Sequence, residues 1–177
     1  MSLLRLFRCL TLPLSLGFAM LAPAAALAEP GALYLVRHGE KAAVGKDPEL
    51  TPQGRLRAEN VAAILGKAGI TAIYSSTTQR TRQTAEPLAR SSNIAVQLYD
   101  PANPKALVAQ VQTVRASGAN VLVVGHSNTL PELVRLFGGA PGPDILDDEY
   151  DRLYQLTGKE DSVRTVLLRS LPVTPQQ

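Results

Sequence analysis

The chain has 177 residues, with 18 Lys and Arg against 15 Asp and Glu, two His, one Cys and no Trp. That length suits one domain with a core large enough to stand alone. The lone cysteine rules out an internal disulfide or a multi-thiolate metal site. The near-balanced charge, without aromatics interleaved with Arg and Lys, rules against a nucleic-acid-binding face.

The first 28 residues have the parts of a secretory signal: Arg5 and Arg8, an apolar stretch from Leu10 to Leu21, and Ala26-Leu27-Ala28 as a cleavage site. Pro13 and Pro23 interrupt the run, so cleavage rather than a stable membrane anchor is expected. Residues 29–177 would then form the mature domain, with 16 basic residues against 15 acidic ones. Cys9 falls inside the signal, in front of the apolar run, where a lipoprotein cysteine would not lie. An exported, cysteine-free domain of this size fits a bacterial periplasm.

After the signal, strand and helix patterns alternate. ALYLVR, ending at Arg37, is a short apolar run of strand length. TPQGRLRAENVAAILGKAG predicts a helix with Thr51 as N-cap, Pro52 in first position and Gly69 near its end. TAIYSS is a second strand, and TQRTRQTAEPLARS a helix that Pro87 should bend or split. AVQLY, ending before Asp100, is a third strand, and PKALVAQVQTVRAS a helix opening on Pro104. NVLVVGHS is a fourth strand, apolar on both faces, followed by the helix NTLPELVRLFGG, which stops at Gly138 and Gly139. DRLYQLTG and SVRTVLLRS predict an antiparallel hairpin. The expected class is α/β: a single three-layer domain, its sheet mostly parallel with helices on both faces and an antiparallel C-terminal strand pair.

Open α/β sheets bind ligands beyond the carboxyl ends of their strands. Arg37 and His38 end the first strand, Ser75 and Ser76 the second, Asp100 the third, and Gly125 to Ser127 the fourth. The two histidines, His38 and His126, are 88 residues apart yet sit at equivalent strand ends, where they can face one crevice. Arg37 beside His38, and Arg80 in the turn after YSS, add guanidinium forks suited to phosphate oxygens. The four residues describe an anion site built around an imidazole.

LVRHGEK, YSSTTQRTRQTAEPLA and VLVVGHSNTLPEL closely resemble the histidine phosphatase superfamily, the phosphoglycerate mutase-like group. DDEYDRLYQLT resembles the segment leading into that family's last strands. The resemblance covers nearly all of the mature chain. It implies that His38 is a nucleophile that becomes phosphorylated, with Arg37, Arg80 and His126 around the phosphoryl oxygens, and it implies no metal or other cofactor.

This sequence departs from the family in its acid, since Ser127 and Asn128 follow the second histidine and no long insertion separates Arg80 from His126. Asp100 is the first candidate general acid because it ends a strand at the active edge, although a turn role before Pro101 and Asn103 is open to it as well. Glu40 and Glu132 are the second and third candidates. A substrate with a good leaving group would need none of them.

GHSNT also invites comparison with a nucleophile elbow, but Thr129 stands where a glycine is required and no histidine follows Ser127. A non-catalytic binding protein of the same fold would show its loss at His38 or Arg80, and both are present. Two histidines with scattered carboxylates give no metal-ligand spacing. The expected activity is hydrolysis of phosphate monoesters, either small molecules or esters attached to the cell envelope. The sequence sets neither the substrate nor the oligomeric state.

Overall fold

The computed structural model describes residues 29–159 and 162–171. The proposed signal and its cleavage site lie outside the described residues. The domain is α/β, with ten elements that run β1 (Leu33–Arg37), α1 (Pro52–Leu65), β2 (Ile70–Ser76), α2 (Gln79–Ser92), β3 (Val96–Tyr99), α3 (Pro104–Ala116), β4 (Asn120–Gly125), α4 (Leu130–Leu136), β5 (Arg152–Thr157) and β6 (Arg164–Arg169).

The six strands form one sheet in the order β3-β2-β4-β1-β5-β6. β1 pairs in parallel with β4, β4 with β2, and β2 with β3, whereas β5 is antiparallel to both β1 and β6. Alternate side chains of the central strands point to opposite faces, and each face carries its own core. Leu33, Leu35, Val121 and Val123 pack with Leu107 and Val111 of α3 and Leu130, Leu133 and Val134 of α4. Tyr34, Val36, Leu122 and Val124 pack with Val61 and Leu65 of α1 and Leu88 of α2. Each large aliphatic side chain sealed this way contributes roughly 1.5–3 kcal/mol from burial, so the central strands are held from both sides.

Local chemistry explains the element boundaries. The Thr51 side chain accepts from Gly54 N as the N-cap of α1, with Pro52 next, and Asn103 caps α3 in the same way through Ala106 N. Gly138, at φ 81°, ends α4. α2 runs without a break from Gln79 to Ser92 through Pro87, so of the two outcomes expected there the split does not occur. A proline removes only one backbone hydrogen bond, and Ala85, Pro87, Leu88 and Ala89 are all buried against the sheet. Packing on this face outweighs the lost bond.

Candidate active site

The strand order brings three carboxyl ends together. β4 lies between β1 and β2, so His38 after β1, His126 after β4, and Ser76 with Arg80 after β2 meet above adjacent strands. The His38 amide donates to Gly125 O at 3.0 Å, which extends the β1–β4 ladder one residue past the strand. The two imidazoles stand edge to face with centroids 5.3 Å apart.

His38 is 3% exposed and its ring is fixed. Nδ1 lies 2.7 Å from Gly39 O. A carbonyl only accepts, so Nδ1 carries the proton and donates it, leaving the Nε2 lone pair free. Gly39 is required by close approach: a Cβ there would lie 2.6 Å from Gly54 O, where the start of α1 crosses the chain. The Gly39 amide in turn donates to Thr84 Oγ1 of α2 at 3.0 Å. The His38 pKa is pushed down to about 3, chiefly by burial, which outweighs the opposing effect of the Gly39 bond and is aided by His126, Arg37 and Arg80. His126 is pushed down to about 4 by burial and then by Arg80 and Arg37. Both rings are neutral at pH 7.

Arg37 is 5% exposed. Its Nη1 donates to Leu146 O at 2.7 Å and Glu149 O at 2.8 Å, and the Tyr150 ring stacks on the guanidinium at 4.0 Å. Arg80 donates through Nη2 to His126 Nδ1 at a long 3.4 Å and pairs through Nη1 with Asp47 at 3.5 Å. The Nε–H groups of both arginines are buried without a hydrogen-bond partner. Two unpaired charged donors beside a neutral imidazole are costly unless an anion completes them.

The acid candidates are scattered. Asp100 follows β3, the edge strand, with β2 and β4 between it and β1, about 14 Å away across three strand spacings. Its carboxylate accepts from Ala102 N at 2.9 Å, the turn geometry of an aspartate ahead of a proline. Strand order is the reason that a strand-end aspartate is not at the crevice. Glu40 is near His38 but held by Arg57, with Arg57 Nη2 at 2.6 Å and Nε at 3.0 and 3.1 Å from its oxygens. Arg57 also donates to Ser170 Oγ at 2.7 Å, so Arg57 ties α1 to the end of the last strand while Glu40 balances its charge. Glu132 lines a cleft of about 420 Å³ that begins at Ser127, next to His126, and includes Asn128, Arg135 and Asp147.

Three residues at the site were not assigned a role from the sequence. Asp47, in the loop before α1, accepts from Gln79 N with both oxygens at 3.1 Å and so caps α2, whose own Thr78 makes no side-chain cap. Tyr150 precedes β5, whose antiparallel pairing sets Leu153 beside Val36 and brings the ring within 6.0 Å of His38. Ser76 was noted as a strand end, and its Oγ lies 2.8 Å from His126 Nε2. Their spacing from the motifs carries no signal, since each contact depends on tertiary placement.

Residues 33–101 match the model described as the histidine phosphatase superfamily (branch 1), a stretch that holds Arg37, His38 and Arg80. No match was found among curated protein sequences. Among solved structures, a candidate α-ribazole-5'-P phosphatase from Escherichia coli is similar with a TM-score of 0.64 and 16% identity, covering 83% of this chain and 100% of its own. The protein histidine phosphatase SixA complexed with tungstate gives 0.64 and 20%, covering 78% and 96%. A mycobacterial glucosyl-3-phosphoglycerate phosphatase gives 0.61 and 18%, covering 79% and 98%. At these identities the structural likeness concerns the fold, and the family match bears out the resemblance over the first two of the three motifs.

Proposed function

We propose that this histidine phosphatase-like domain hydrolyses phosphoric monoesters through a phosphohistidine on His38. The observation that carries the reading is the pair of unpartnered, buried Nε–H donors of Arg37 and Arg80 around an imidazole whose Nδ1 bond to Gly39 frees Nε2. In the first step Nε2 bonds to phosphorus while the bond from phosphorus to the ester oxygen breaks. In the second, water attacks the same phosphorus, the P–N bond breaks, and phosphate leaves with His38 neutral again. Arg37 and Arg80 would stabilise the equatorial oxygens, where charge spreads in phosphoryl transfer, and His126 would supply a further contact. These four groups require no metal, and among the described residues no group of three or more His, Cys, Asp or Glu is arranged to hold one.

The leaving oxygen needs a proton unless it is already stable as an anion. Of the three carboxylates considered, Glu132 shares a cleft with Ser127, the residue after His126, and this supports giving it the acid role ahead of Asp100. The substrate is a phosphate ester of a small molecule or of a larger envelope-attached group, and the domain acts after export, in the periplasm.

The test is chemical trapping. Rapid alkaline quenching of the mature protein mixed with labelled aryl phosphate should leave label in an acid-labile, alkali-stable bond, as expected of a phosphoramidate. His38→Ala should lose label and turnover together while retaining the wild-type circular dichroism. Normal turnover by His38→Ala would refute the mechanism, whereas a wild type that binds phosphate esters tightly but never turns them over would establish a binding protein instead.

A further inference from the structure

His126 has a different environment at each ring nitrogen. Nδ1 faces Arg80 Nη2 at 3.4 Å, on the side of the proposed phosphate site. Nε2 faces inward to Ser76 Oγ at 2.8 Å, and Ser76 is fully buried. Behind it, Ser76 Oγ meets Thr81 Oγ1 at 2.9 Å, and Thr81, also fully buried, lies 2.9 Å from Thr78 O, 3.0 Å from Ser76 O and 3.0 Å from Thr78 Oγ1.

A guanidinium only donates, so in the empty site Nδ1 must accept and the ring proton sits on Nε2. The bonds then run in one direction: Nε2–H to Ser76 Oγ, Ser76 Oγ–H to Thr81 Oγ1, and Thr81 Oγ1–H to Thr78 O or Ser76 O. Every hydroxyl in this chain has its one donor used. A phosphate dianion changes the requirement, because its oxygens only accept. Nδ1 then has to donate.

We propose that Ser76 and Thr81 are positioning residues, a reversible pair of hydroxyls that sets which nitrogen of His126 carries the proton and turns over when phosphate binds. The inference rests on the reading of Arg37, His38, Arg80 and His126 as a phosphate site. In the bound state the ring gains a proton at Nδ1 and releases one at Nε2, so its charge is unchanged. Ser76 Oγ–H turns to donate to Nε2, Thr81 Oγ1–H turns to donate to Ser76 Oγ, and Thr78 Oγ1–H donates to Thr81 Oγ1. No heavy atom has to move, because each O···O and O···N distance already suits a hydrogen bond in either sense. An alanine at 76 offers neither direction, and an amide would be confined to one orientation. Hydroxyls serve both states because they donate and accept.

Ring ¹⁵N chemical shifts of histidine-labelled mature protein test this directly at pH 8, with inorganic phosphate as the probe. The expected wild-type result is a protonated Nε2 without phosphate and a protonated Nδ1 at saturation. Ser76→Ala should bind phosphate about 10-fold more weakly at pH 8, the scale of one lost hydrogen bond. The loss should persist while the ring is neutral, because Nδ1–H can still donate to phosphate but the unprotonated Nε2 has lost the hydroxyl that would donate to it. Thr81→Val removes the acceptor for Ser76 Oγ–H and should enrich the Nδ1–H form before any phosphate is added, a change of opposite sense that general loosening would not produce. If phosphate shifts the His38 ring while His126 keeps its proton on Nε2, the hydroxyl pair is overturned and the phosphate site stands. If phosphate perturbs neither ring, both fall. A Ser76→Ala protein with wild-type affinity would also overturn the proposal.

Discussion

Holding two histidines neutral makes the fold sensitive to acid, and the size of the effect follows from the site. An unfolded histidine titrates near 6.5, whereas in the folded chain His38 and His126 are pushed down to about 3 and about 4. Between those values and 6.5 the unfolded chain binds more protons, so stability falls as the pH falls. It is fully present above pH 6.5 and lost progressively below it. At pH 5 each ring removes about 2 kcal/mol relative to pH 8 by linkage. Urea unfolding at the two pH values measures this, and His126→Gln isolates one ring, because glutamine stays neutral and can still reach Ser76. The variant should lose about 2 kcal/mol less than wild type between pH 8 and pH 5, a difference of roughly 1 M in midpoint shift for a domain of this size. Glu149 is held down to about 2 chiefly by its bond to Arg152, but it titrates in both proteins and cancels. Identical pH dependence in the two proteins would refute the claim that burial keeps His126 uncharged.

Two further outcomes separate the carboxylates. Glu132→Gln should slow an alkyl phosphate by up to ~100-fold more than an aryl phosphate, the scale of general acid catalysis, whereas Asp100→Asn should slow neither selectively; steady-state rates on the two substrates decide it, and the reverse pattern would restore Asp100. Glu40→Ala leaves Arg57 buried without its counter-charge and should cost about 3–5 kcal/mol of stability in urea unfolding, and a loss below 1 kcal/mol would show that the pair is not structural.

The elements were legible because their signals are local. Apolar runs mark β1, β2 and β4, and Thr51-Pro52 and Asn103-Pro104 mark the starts of α1 and α3 within a few residues. That Arg37, His38, Arg80 and His126 share one edge was legible for a related reason: in a parallel sheet every strand end that precedes a helix faces the same edge, and all four lie at or just after such ends. That rule gives the edge without the order, so it does not rank the acid candidates. Asp100 meets the rule as well as His126 does, yet β3 is outermost and β4 central. Glu40 stands two residues after His38, but its partner Arg57 comes from the next helix. That Pro87 leaves α2 unbroken was not legible, because a helix pattern does not show how much packing supports it.

The remaining feature to explain is the absence of a counter-charge at the arginines' free donors. Asp47 takes only one edge of Arg80, at 3.5 Å and with its side chain 40% exposed, and Arg37 is met by carbonyl oxygens and the Tyr150 ring rather than by a carboxylate. Of the other buried arginines, Arg57 is matched by Glu40 and Arg152 by Glu149, whereas Arg115 is met by the carbonyls of Gly31 and Gly158. A carboxylate at the Arg37 and Arg80 Nε–H groups would remove the desolvation cost of the empty site, and it would also compete with any phosphoryl group for the same donors. Partial partners such as carbonyls and an aromatic face hold each guanidinium in place while leaving most of its charge uncancelled. The cost of two incompletely satisfied cations is recovered when a dianion binds, and until then their charge adds to burial, the larger cause, in lowering the pKa of both histidines.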